Sequence, residues 1–179
     1  MKNVLCILLD GFEELEAVGT IALLKRAGIN VDIATDGEIE ATGRYGITLS
    51  NIYNLNKLDY KNYDMLFVPG GPHYAKILNN DLYLNIIKYY FENKSISTIC
   101  AGPTILGKLG LLKGKRYTCF ESMNEDFGGT YLGTYAVKDE NMITGKSAAA
   151  TIDFGFMIIE YLLGEEKALE IKKQIYYKD

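Results

Sequence analysis

The stretch SISTICAGPTILG, residues 95–107, decides the fold. Ile96 and Ile99 read as the end of a buried strand. Ala101, Gly102 and Pro103, followed by Thr104-Ile105-Leu106-Gly107, read as the opening of a helix. Pro103 suits a first helical turn, where its missing N–H costs little. Cys100 stands on the hinge between the two. A strand that feeds directly into a helix is the repeating unit of a parallel α/β sheet.

The same unit recurs along the chain. VLCILL (4–9) is a continuous apolar run, as expected of a strand covered on both faces. EELEAVGTIALLKRAG (13–28) carries Leu15, Val18, Ile21, Ala22 and Leu24 at helical spacing, with Gly28 as a C-terminal stop. INVDIAT (29–35) reads as the second strand and DMLFVPGG (64–71) as a third that ends in a turn. Residues 38–50 read as a short hairpin, while 51–63 are polar, tyrosine-rich and without period. DLYLNIIKYYFENK (81–94) is helical, with Leu82, Ile86, Tyr89 and Tyr90 on one side. RYTCF (116–120) reads as a strand, ESMNEDFGG (121–129) as irregular and acidic, and 134–146 as a hairpin around Asp139-Glu140-Asn141. Two helices follow, at 150–164 and 165–177. The expected class is α/β, with a mostly parallel sheet and helices on both faces.

In such folds ligands bind beyond the carboxyl ends of the strands. Asp10-Gly11, Pro69-Gly70-Gly71 and Cys100-Ala101-Gly102 each follow a buried strand directly. A parallel sheet would bring all three turns to one edge.

Composition removes several classes of function. The net charge is −4 and no concentrated basic patch appears, so nucleic acid is not expected as a partner. The apolar run before Asp10 is too short to span a bilayer and lacks a small-residue cleavage site. No membrane association is expected, and the reading is cytoplasmic. The 179 residues, 48% apolar, suit one domain with a single core. Three cysteines, Cys6, Cys100 and Cys119, argue against a disulfide framework. One histidine, His73, and no CxxC argue against a structural zinc site.

A cysteine at a strand-to-helix turn is held sharply and faces the cleft, as in a nucleophile elbow. The helix start offers free N–H groups and a positive dipole end, which favour a thiolate. Cys100 reads equally as a small buried hydrophobe, the common state of a free cysteine. Glu13 and Glu14 are accounted for by the helix dipole. Glu16 reads as a solvated helix residue unless it faces the cleft. Gly70-Gly71 fit a tight turn and could also present N–H groups to an oxyanion. His73 reads as a loop residue rather than a base.

Taken together these segments resemble the ThiJ/PfpI superfamily, in the branch of the Parkinson's-linked protein (DJ-one). The resemblance rests on DGFEELE (10–16), KRAG (25–28), VPGGP (68–72), ICAGPTILG (99–107), TCFESM (118–123) and DFGFMIIEYLLG (153–164), and covers essentially the whole chain. It implies a flavodoxin-like three-layer sandwich, formed as a single domain over 1–179 of the class I glutamine amidotransferase-like kind, and a homodimer. It implies that Cys100 is the nucleophile and Glu16 the carboxyl group against its sulfur, which as a donor would lower the thiol's pKa. Gly71 and Ala101 would supply backbone N–H groups. No cofactor and no metal are expected.

Protease-like relatives carry a histidine directly after the cysteine. Here that residue is Ala101, which argues against peptidase activity. Where the branch carries a histidine near the reactive cysteine, Cys119 stands instead, so Glu16 is the evident proton carrier. Cys119 is a candidate redox partner for oxidised Cys100, against the plainer reading of a packed strand residue. Lys146 stands in the region where relatives place an arginine near the pocket or dimer contact. The resemblance implies a cofactor-independent enzyme acting on a small aldehyde or glycated substrate, glyoxalase III-like or deglycase-like. The alternative is a redox-responsive sensor or chaperone, and the third reading a thiamine-related or amidotransferase-like role.

Overall fold

The computed structural model describes residues 1–37 and 39–177. In chain order the elements are β1 (Asn3–Ile7), α1 (Glu14–Arg26), β2 (Asn30–Thr35), β3 (Glu40–Thr42), β4 (Thr48–Ser50), β5 (Tyr53–Asn54), β6 (Met65–Val68), α2 (His73–Leu78), α3 (Asp81–Asn93), β7 (Ser95–Ile99), α4 (Gly102–Lys108), β8 (Arg116–Tyr117), β9 (Thr130–Tyr131), β10 (Ala136–Asp139), β11 (Met142–Gly145), α5 (Thr151–Leu163) and α6 (Glu165–Gln174).

A seven-stranded sheet in the order β10-β11-β7-β6-β1-β2-β5 forms the middle layer. Every pairing in it is parallel except β10 with β11 at one edge. The central strands β6 and β7 are buried along their whole length; β6 (MLFV) accordingly reads as an apolar run without alternation, whereas β7 (SISTI) buries Ser95, Ser97 and Thr98 with its two isoleucines. Their side chains still alternate between two cores. Val4, Cys6, Met65 and Phe67 pack with Ala17, Ile21 and Leu24 of α1, Phe154 and Ile158 of α5 and Ile171 of α6. Leu5, Ile7, Leu66 and Val68 pack with Ile77 of α2, Ile86 of α3 and Ile105 of α4. Helices therefore cover both faces, as expected from the strand–helix alternation.

Four local expectations are corrected. The strand expected over 116–120 stops at Tyr117, because the Thr118 N–H donates to Thr144 Oγ1 and the Phe120 N–H to the Cys100 carbonyl. The segment leaves its ladder to cross the end of β7. Helix α2 was not anticipated. Residues 51–63 contribute β5, a two-residue edge strand on the main sheet. On α1, Leu15 and Val18 are 57% and 41% exposed, while Glu16 and Thr20 are buried. The hairpin expected over 38–50 is present as β3 and β4, with residue 38 outside the described residues. Among the described residues no helix is long and apolar enough to cross a membrane.

Candidate active site

Strands β1, β6 and β7 run parallel and end together, so the three turns singled out in the sequence do meet at one edge. Cys100, the first residue beyond β7, has φ 62. A non-glycine residue in the left-handed region costs on the order of 1–3 kcal/mol and persists only where its surroundings fix it. Here they do. The Cys100 N–H donates to the Gly145 carbonyl at the end of β11, 2.9 Å away, and the Cys100 carbonyl accepts from the Phe120 N–H at 3.0 Å. The backbone is pinned from both sides, and the half-buried side chain is turned into a cavity of about 580 Å³.

The three glutamates of EELE have three separate tasks. Glu13 caps α1, its Oε2 accepting the Glu16 N–H at 2.7 Å, and its own N–H donates to the Gly70 carbonyl at 2.9 Å. Glu14 Oε1 accepts the N–H groups of Tyr45 (2.7 Å) and Ile47 (3.4 Å), tying the β3–β4 hairpin to α1. Glu16 is 1% exposed, and its Oε2 accepts the Gly70 N–H at 2.9 Å. The helix dipole alone, the reason first given for Glu13 and Glu14, does not account for these bonds.

Gly70 shows how close the parts lie. A methyl group placed on it would stand 2.5 Å from Glu16 Oε2, 2.6 Å from the Cys100 Cβ and 3.0 Å from the Ala101 nitrogen. The carboxyl, the Cys100 side chain and an amide thus converge on one glycine. Gly71 has φ +102 and sits against the Glu13 nitrogen and the Gly11 carbonyl, so no larger residue fits the turn. Gly71 and Ala101 both line the cavity, and among the described residues neither amide donates to a backbone carbonyl. The Ala101 amide is directed at the Cys100 sulfur instead.

Burial pushes the Glu16 carboxyl up to about 7; the facing Cys100 thiol and the Gly70 N–H offset this in part, while the Glu13 charge adds to it. Near neutrality the carboxyl can therefore hold or release a proton. The Cys100 thiol is pushed up by burial first and by the Glu16 charge second, with the Ala101 N–H pulling the other way. The lowered thiol expected from the helix start is thus not found: burial holds the thiol up, and an ionised Glu16 raises it further. Protonating Glu16 removes the repulsion and makes the carboxyl a donor to sulfur. The pair is arranged to share a proton.

The remaining sequence candidates fall outside the cavity. Cys119 is fully buried in the core that α2, α3 and α4 cover, whereas Cys100 packs against the opposite core, and burial pushes the Cys119 thiol up to about 11. Lys146 pairs with Glu121 at 3.6 Å. Their neighbours Phe120 and Ser147 line the cavity instead. His73, read as a loop residue, opens α2 and is completely buried. Among the described residues no cluster of three His, Cys, Asp or Glu side chains is placed to hold a metal. Arg44, Tyr45, Tyr74 and Met123 also line the cavity and were not anticipated. Their loops carry no periodic signal that could have placed them.

The sequence model of the DJ-1/PfpI family matches residues 2–161. DJ-1 homolog B of Arabidopsis thaliana is 32% identical over 176 residues, covering 96% of this chain but 40% of the plant protein, so the chain spans less than half of that relative. A deglycase of Thermococcus kodakarensis is 30% identical over 148 residues, covering 80% of this chain and 89% of its own. A glutathione-independent glyoxalase of Caenorhabditis elegans is 28% identical over 167 residues, covering 91% and 89%. Among solved structures, a cysteine-to-alanine mutant of a DJ-1 superfamily protein from Salmonella typhimurium superposes with a TM-score of 0.91 at 29% identity, covering 100% of both chains.

Proposed function

The chain belongs to the DJ-1/PfpI family, and from that premise we propose that it is a cofactor-independent enzyme acting on small reactive carbonyls, of the glyoxalase or deglycase kind. The observation that carries this reading is the buried Glu16 carboxyl, held by the Gly70 N–H against Cys100 and pushed up to about 7. For a 2-oxoaldehyde such as methylglyoxal, the Cys100 sulfur adds to the aldehyde carbon and forms a hemithioacetal. The Gly71 N–H group faces the oxygen on which charge develops. Glu16 takes the proton from the former aldehyde carbon and returns it to the neighbouring carbon through an enediol. The aldehyde carbon is oxidised by two electrons and the ketone carbon reduced by two, so no external redox partner is needed. Water hydrolyses the resulting thioester, releasing lactate and the free thiol.

Methylglyoxal consumption with lactate detection under reducing conditions tests this directly. Wild type is expected to turn over, Cys100→Ser to be inactive, and Glu16→Gln to lose about 10²-fold or more in kcat, the usual worth of a positioned general acid–base. Turnover by Glu16→Gln at the wild-type rate would remove Glu16 from the mechanism. The same geometry favours a second reading. A half-exposed cysteine beside a carboxyl and backbone amides can hold a sulfinate, making Cys100 a redox sensor. Oxidation abolishes activity under the first reading and creates it under the second.

The homodimer belongs to this proposal as well. Leu15 and Val18 lie one turn apart on the exposed side of α1, and Ile47, 56% exposed, stands on the hairpin that Glu14 ties to the same helix. This apolar surface suits a second copy of the chain. A single domain in the cytoplasm completes the reading.

A further inference from the structure

We propose that the site selects carbonyl compounds bearing a bulky apolar substituent, of aromatic-ring size, over three-carbon dicarbonyls. The inference deepens the carbonyl-enzyme reading and rests on Cys100 as its nucleophile. A cavity of about 580 Å³ falls within the range of roughly 300–1,000 Å³ that encloses drug-sized ligands. A dicarbonyl of five heavy atoms leaves most of it unfilled. The distribution of side chains is graded with depth. The buried end holds Glu16 (1% exposed), Ala101 (3%) and the thiol, the groups that meet a carbonyl. Towards solvent the wall is Tyr45, Tyr74, Phe120 and Met123, with Phe120 44% exposed and Tyr45 70%. The Arg44 guanidinium lies 5.0 Å over the Tyr45 ring and is engaged with that wall.

An exposed phenylalanine and tyrosine over a reactive thiol gain little as surface residues, but offer ring faces and edges to an apolar body. Each additional methylene accommodated in such a pocket is worth about 10–200-fold in kcat/KM. Phe120 and Met123 line the same cavity as Cys100, so a ring-sized substituent on a carbonyl seated at the sulfur is expected to meet them and the methyl group of methylglyoxal to fall short.

The test compares two alkylating agents with the same warhead, iodoacetamide and iodoacetanilide, which differ by a phenyl ring. In both, the Cys100 sulfur displaces iodide and forms a carbon–sulfur bond. The ratio of their rates on the protein is divided by the ratio on free mercaptoethanol. A normalised preference of about tenfold or more for the anilide is expected, falling severalfold in Phe120→Ala and in Met123→Ala. Both residues lie at the surface, outside the two cores, so the variants are expected to fold. A normalised ratio near one, or a ratio indifferent to both substitutions, overturns the proposal. Phenylglyoxal and methylglyoxal turnover then separates it from the function it rests on. A preference for the anilide without turnover of either aldehyde sinks the enzyme reading and leaves the pocket's selectivity standing. Turnover of both with no anilide preference does the reverse.

Discussion

His73 joins two turns of the candidate site without entering the cavity. Its Nδ1 accepts the Leu9 N–H at 3.3 Å, beyond the end of β1, and its Nε2 donates to the Pro69 carbonyl at 2.8 Å, beyond the end of β6. Burial pushes the ring from its ordinary 6.5 down to about 4, only partly offset by the Pro69 carbonyl. Between those values the unfolded chain binds a proton that the folded chain does not, so His73 makes stability rise with pH. Glu16 acts in the opposite sense. Its carboxyl is raised from 4.5 to about 7, so the folded chain keeps a proton that the unfolded chain loses, and stability falls as pH rises through that window. Each shift corresponds to about 3 kcal/mol at most. The two slopes oppose one another between pH 4.5 and 6.5, where wild-type thermal unfolding is expected to change little. Glu16→Gln is expected to expose the rising slope and His73→Gln the falling one, both readable as melting temperature against pH. If the two variants keep the wild-type profile, neither group carries the assigned shift. Gly70→Ala should lose activity even if folded, because its methyl would displace either the Glu16 oxygen or the Cys100 side chain.

Helix α1 shows what the sequence could and could not convey at the scale of an element. The strands β1 and β6 were legible because burial on both faces leaves an unbroken apolar run, β7 was legible from Ile96 and Ile99 ahead of a small-residue turn, and the Gly-Gly and Cys-Ala-Gly turns marked where β6 and β7 end. The existence of α1 was legible from its period, but the face it buries was not. Leu15 and Val18 fit helical spacing yet point to solvent, while Glu16 and Thr20 point inward, so hydrophobicity alone selects the wrong stripe. The six residues of α2 are too few to show a period, and its buried histidine resembles a loop residue. Glu16 and Cys100, which the resemblance names, line one cavity, while Cys119 and Lys146 stand outside it beside Phe120 and Ser147, which line it. The cavity wall comes from segments around 44–45, 120–123 and 147–148, which contact arranges and no local pattern announces. The hairpin's attachment gives a prediction at this scale. Glu14→Ala removes the acceptor of the Tyr45 and Ile47 N–H groups. The expected result is a KM for bulky carbonyls raised severalfold with kcat nearly unchanged, because the wall moves while the Cys100–Glu16 pair does not. A fall in kcat at constant KM would show that the hairpin acts on the pair itself.

Across the whole molecule, the candidate site sits at the carboxyl ends of β1, β6 and β7, where turns are free to differ while the strands behind them stay fixed. The surface proposed for a second copy adjoins that edge through α1 and the β3–β4 hairpin. Leu15→Glu together with Val18→Glu is expected to convert a dimer to a monomer by sedimentation velocity, with the far-ultraviolet spectrum unchanged. An undiminished dimer would place the contact elsewhere. The burial of the other two thiols has a practical consequence. Cys6 and Cys119 are fully buried in opposite cores, with both thiols pushed up by burial. A native chain should take up one equivalent of a thiol reagent quickly and three when unfolded, since all three cysteines are free. The slow uptake of the second and third equivalents would then clock the opening of each core separately, one buried sulfur per layer. The protein thereby carries its own two-channel gauge of which side of the sheet comes apart first.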